Sequence, residues 1–186
     1  MKQTAIVALM LTLGATGAYA QQQRPVKMRF SGTNVATTIN LQTGTVTDET
    51  QLAGNGSLGA FTFRELHADA PVPQPLPSCS GPHFAVVAGA GVFRFQNGSL
   101  LVVKVMDGSG CVNLVAGNAG ITVNYEITGG TGRFTDASGN LTMTATLVAV
   151  LRNAANQPAL LTNTGEFEGS IVGATLDEDE RQDKRR

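Results

Sequence analysis

The stretch ITVNYEITGGTGRFTDASGNLTMTATL, residues 121–147, decides the fold. In its first part Ile121, Val123, Tyr125 and Ile127 share one face, and Thr122, Asn124, Glu126 and Thr128 share the other. A side-chain period of two belongs to a half-buried β-strand. The last part alternates too, with Leu141, Met143, Ala145 and Leu147 opposite Thr142, Thr144 and Thr146. Between the strands, Gly129, Gly130 and Gly132 open backbone angles closed to other residues. Phe134 can then turn inward as a plug, and residues 136–139 make a second tight turn. Arg133 reads as an exposed side chain. A phosphate cradle is excluded, because a Walker loop ends in Lys followed by Ser or Thr, and a dinucleotide loop needs a third glycine opening a helix. Here Arg133, Phe134 and Thr135 follow Gly132, and a strand comes next. No helix N-terminus is offered to an anion.

Working outward, the same grammar recurs. GVFRFQNGSLLVVKVMD, residues 91–107, carries an Asn97-Gly98 pair between two apolar runs. That pair predicts a β-hairpin with a type I′ turn. Further strands are expected at 26–31, 35–41, 57–67, 111–116 and 160–174. The 22 glycines suit turns, and the many threonines suit a pleated surface. Eight or so short strands without an amphipathic helix predict an all-β antiparallel barrel or sandwich. Closure into a barrel would remove the exposed edges. One segment interrupts the pattern: DAPVPQPLPSCSGPH, residues 69–83, holds five prolines and predicts a long irregular connection.

Composition bounds the function. Residues 1–20 have a positive start, an apolar run and Ala18-Tyr19-Ala20 at the end. This is the pattern of a secretory signal peptide cleaved after Ala20, too short to span a membrane as a helix. A barrel domain over 21–176 and a charged disordered tail over 177–186 are expected to follow. The tail holds five acids and four bases, and the formal net charge of the chain is −1. No basic surface suited to nucleic acid is present. Tryptophan is absent and only two tyrosines occur, so the aromatic girdles of an outer-membrane barrel are missing. Two cysteines in an exported chain favour a Cys79–Cys111 disulfide over a catalytic thiol. The alternative would pair Cys79 with His83 as base, but the Gly81-Pro82 turn between them does not guarantee hydrogen-bond reach. The expected location is the periplasm or the medium of a bacterium.

Recognisable chemistry is sparse. His67 and His83 are separated by the proline-rich segment, and no metal-ligand spacing is found, so neither metal nor cofactor is expected. No G-x-S-x-G nucleophile elbow is present. Glu126, Asp136, Glu166 and Glu168 are the carboxylates in or beside strands that could serve acid–base catalysis. Glu166 and Glu168 lie opposite Phe167, as on a solvated outer face. Asn55, Asn97 and Asn140 stand in Asn-x-Ser/Thr triplets, the first two already explained by turns.

Residues 127–147 resemble the G-G-T-G-x-F…A-x-G signature of the allene oxide cyclase barrel-like superfamily, which includes the dirigent proteins. The likeness is greatest to its exported bacterial branch. Gly129, Gly130, Thr131, Gly132, Phe134, Ala137 and Gly139 carry it. The resemblance implies an eight-stranded antiparallel barrel with an apolar interior, often oligomeric in the plant members. Plant cyclases hold an epoxide in the barrel, and dirigent proteins orient phenoxy radicals. The signature belongs to the scaffold, and a fold does not imply a function. Three functions fit: a module binding a small apolar ligand, a cyclase- or isomerase-like enzyme, and a structural or surface-interaction protein.

Overall fold

The computed structural model describes residues 22–72, 78–79, 81–113 and 115–175. The expected signal peptide and charged tail lie outside them, as does part of the proline-rich segment. Eight antiparallel strands form a closed up-and-down barrel: β1 (Arg24–Ala36), β2 (Val46–Gly56), β3 (Phe61–Pro71), β4 (His83–Phe95), β5 (Leu100–Asn113), β6 (Asn118–Gly130), β7 (Ser138–Arg152) and β8 (Pro158–Val172). Every strand pairs with its neighbours in sequence, and β1 closes on β8 from Arg24↔Ile171 to Asn34↔Leu161.

The alternation read from β6 and β7 is that of the barrel wall: Ile121, Val123, Tyr125, Ile127, Leu141, Met143, Ala145 and Leu147 are all buried inside. Three expected strands differ, the first at 57–67, where residues 57–60 form the β2–β3 turn and the strand starts at Phe61. β1 ends at Ala36, and residues 37–45 turn back over the outer wall, because the Thr47 carbonyl takes the Thr37 N–H and the Thr47 hydroxyl takes the Leu41 N–H. β2 was not expected, since its inward positions include Asp48 and Thr50, which break the apolar alternation. Residues 111–116 are the end of β5 and a turn. There the Asn113 Oδ1 accepts the Val115 and Ala116 N–H groups and stops the strand.

The Asn97-Gly98 pair does form the β4–β5 hairpin, with a different turn. Gly98 has φ +82° and is the turn's one left-handed residue. Its N–H donates to the Phe95 carbonyl, and the Phe95 N–H donates to the Ser99 carbonyl. This is a three-residue loop, a type I turn closed by a left-handed glycine. Asn97 stays outside the left-handed region and uses its Oδ1 to accept the Ser99 N–H.

One end of the barrel is solid. Phe30, Phe61, Phe63, Phe93, Phe95, Phe134 and Phe167 are buried with neighbouring ring centroids 4.3–6.3 Å apart. Each buried ring contributes roughly 1.5–3 kcal/mol relative to exposure. Phe134 is the plug that its glycine bend promised: a single 3-10 turn, Gly132–Phe134, drops it under the barrel end, fully buried. Gly132 holds φ +61°, a conformation that favours glycine, and a Cβ there would lie 2.5 Å from the Ser99 hydroxyl and force it to move. Arg133 departs from its expected exposure. Its guanidinium lies 4.9 and 4.7 Å from the Phe95 and Phe134 ring centres and donates to the Leu58 carbonyl. It seals the plug by stacking on the ring faces that Phe134 presents.

Candidate functional site

At the opposite end, the β1–β3 side of the interior is polar. On β3, FTFRELHAD places Phe61, Phe63, Glu65, His67 and Asp69 on the same face by the period of two. The two rings lie in the solid half, so the three polar groups continue inward beyond them. Cross-strand pairing adds Asp48 beside His67 and Thr50 beside Glu65, and Asn34 of β1 beside Thr50. Asn34, Thr50, Glu65 and His67 are all at most 2% exposed. Gly91 and Gly89 face Glu65 and His67 across β4. A Cβ at Gly91 would stand 2.4 Å from the Phe63 ring, so the glycine lets the aromatic half approach the wall.

The groups interlock. Tyr125 of β6 donates its hydroxyl to Glu65 Oε2 at 3.1 Å. The same Oε2 lies 3.5 Å from His67 Nδ1, and Asp69 Oδ2 lies 3.6 Å from His67 Nε2. At these distances the imidazole contacts are ion pairs rather than aligned hydrogen bonds. Asn34 Nδ2 donates to the Thr50 hydroxyl at 2.9 Å. Buried polar atoms are left without a hydrogen bond: Asn34 Oδ1, Glu65 Oε1, Asp69 Oδ1, Asn163 Oδ1 and both nitrogens of His67.

Electrostatics follow from this crowding. Burial alone would push the His67 imidazole down, but Asp69 and Glu65 on its two sides outweigh burial and raise it to about 10. Burial pushes the Asp48 carboxyl up, His67 pulls it down, and the like charge of Asp69 pushes it up again, with a net rise. The Tyr125 phenol is raised well above 10 by burial and by Glu65. No lysine or arginine among the described residues is buried, so His67 is the one interior base facing three carboxyl groups.

At this end a pocket of about 110 Å³ opens between the β5–β6 and β7–β8 turns, lined in part by Val112, Ala119, Leu147 and Leu161. Leu161 is the cross-strand partner of Asn34, so one wall residue of the pocket neighbours the end of the row Asn34–Thr50–Glu65. A broader groove of about 640 Å³ lies on the outer wall, where Ile39 and Leu41 overhang Leu66 and Val92.

The carboxylates singled out in the sequence stay outside. Glu126 and Asp136 are exposed, and Glu166 and Glu168 pair with Lys27 on the outer face of β1 and β8. Cys79 and Cys111 form the expected disulfide, Cα atoms 5.6 Å apart, which leaves no thiol for His83 to activate. Asn55, Asn97 and Asn140 are exposed. Gly129, Gly130, Thr131, Gly132, Phe134, Ala137 and Gly139 build the plugged end, away from the polar row.

No protein-family model matches this chain, and no curated protein matches it.

Glu65, Asp48 and Asp69 escaped the sequence reading although a signal for two of them was present. Phe61 and Phe63 set the inward parity of β3, and Glu65, His67 and Asp69 keep it. The expected apolar interior therefore holds at the plugged end and along β5–β7, and is broken by polar groups on β1–β3 at the other end.

Proposed function

We propose that this barrel is an exported member of the allene oxide cyclase-like, dirigent-like superfamily that binds a small, largely apolar molecule carrying one polar group. The carrying observation is the buried row Asn34–Thr50–Glu65, with unpartnered Asn34 Oδ1 and Glu65 Oε1, at the end where the pocket opens. Buried polar atoms without partners are costly, and a ligand that donates hydrogen bonds relieves that cost. The apolar body would lie against Ala119, Leu147 and Leu161, since phenylalanines occupy the other half of the barrel. Export is supported by the apolar leader and by the disulfide, which persists in oxidising compartments. Among the described residues no helix is long and apolar enough to cross a membrane.

Native mass spectrometry on protein from its producing cells tests this, together with displacement of an apolar fluorescent dye. One bound molecule per barrel is expected, lost in Ala119→Phe with the far-UV spectrum unchanged. A barrel that carries nothing and takes no dye overturns the reading.

The Tyr125–Glu65 contact favours a second reading, an isomerase-like enzyme in which this shielded pair moves a proton. Glu65→Gln would then abolish cyclisation of an epoxide substrate while keeping dye binding. Unchanged turnover in that variant removes the enzyme.

A further inference from the structure

We propose that Asp48, His67 and Asp69 form a site for one divalent first-row cation of the zinc type, with Glu65 as the group that orients the imidazole. The site is independent of whether an organic molecule enters the pocket. One ligand atom from each of the three residues lies within 4.8 Å of the other two. His67 Nε2 and Asp69 Oδ2 are 3.6 Å apart, close to the edge of about 3.4 Å spanned by two ligands of a tetrahedral zinc. The set of one imidazole and two carboxylates is one that zinc accepts, and imidazole disfavours magnesium and calcium.

Two further observations point to a cation. His67 is 1% exposed, yet neither of its nitrogens makes a hydrogen bond. A buried imidazole is ordinarily satisfied, and here Nε2 faces Asp69 across a gap that a metal bond would bridge. The other nitrogen, Nδ1, faces Glu65 Oε2 at 3.5 Å, and that oxygen is held by the Tyr125 hydroxyl. Metal-bound histidines commonly direct their second nitrogen at a carboxylate, which fixes the ring and raises its basicity. The chain Tyr125–Glu65–His67 thus supplies the support such a site needs. Three carboxyl groups also crowd this end with no buried lysine or arginine among the described residues. A dication balances that excess. Three protein ligands leave coordination positions for water or another ligand, as in zinc sites that bind or activate a substrate.

The test is zinc chloride titrated by calorimetry into the chelator-treated full chain, with manganese and calcium chloride as comparisons. One equivalent of zinc is expected to bind and raise the unfolding temperature, with manganese weaker and calcium weakest. Asp48→Asn should abolish stoichiometric binding, and Glu65→Gln should weaken it by about 10–100-fold. Glu126→Gln, on the outer wall, should leave it unchanged. Should Asp48→Asn fail to fold, cobalt added to the wild-type protein gives the second readout, by shifting the His67 ring resonances. The site is overturned if no zinc binds, if Asp48→Asn binds as the wild type does, or if cobalt leaves the His67 resonances in place.

Discussion

Tyr125 sits fully buried with its hydroxyl 3.1 Å from Glu65, and both burial and that carboxylate favour the neutral phenol. A raised folded pKa gives stability that is complete below the unfolded value of about 10 and is lost as pH rises above it. The unfolded chain then releases a proton that the folded one keeps. Tyr19 and Tyr125 are the two tyrosines, so a chain without residues 1–20 reports Tyr125 alone. Its phenolate absorbance is expected to appear only with the loss of structure, as a step coincident with the far-UV transition in an alkaline titration. Phenolate formation near pH 10 in a still folded barrel would contradict this placement. The residue scale is also where the sequence was hardest to read. Glu65 and Tyr125 are 60 positions apart, and nothing in either local pattern joins them.

At the scale of elements, two devices hold the barrel ends. The 3-10 turn Gly132–Phe134 plugs one, with Phe134 against Phe95 at 4.8 Å and Arg133 stacked over both rings. Phe134→Ala opens a cavity in a packed aromatic cluster and is expected to destabilise by about 3–5 kcal/mol, read as a lower urea midpoint with unchanged slope. The disulfide works at the other end. Cys79 and Cys111 are 32 residues apart, so the bond ties the segment before β4 to the end of β5. Replacing both cysteines by serine is expected to cost roughly 3–4 kcal/mol in the same assay, with the barrel retained. Most elements were legible because a wall strand must alternate. β6 and β7 do so from Ile121 to Ile127 and from Leu141 to Leu147, whereas β2 brings Asp48 and Thr50 to the inside and reads as a polar loop.

Across the whole molecule, closure rests on β1 and β8, which pair from Arg24↔Ile171 to Asn34↔Leu161. The two ends of the barrel chain are therefore neighbours. A permutant joining Gln23 to Gly173 by a short glycine-serine linker, opened between Asn97 and Gly98, is expected to keep the barrel. That turn is exposed and holds no interior group. An unchanged far-UV spectrum with a cooperative transition would show it, and a molten transition would count against closure as the organising contact. Composition and periodicity by themselves determined the all-β class, the glycine bend with its inward phenylalanine, the hairpin at Asn97-Gly98 and the cysteine pairing. Each depends on local backbone freedom, on side-chain parity or on cysteine count. Only the tertiary structure decided that the interior has two characters. Period two says that Glu65 and His67 share a face with Phe63, but not whether that face meets solvent, aromatic rings or other carboxylates. Asp48 and Tyr125 reach them from two other strands and Asn34 reaches Thr50 beside them from a third, and cross-strand register is a property of the closed barrel alone.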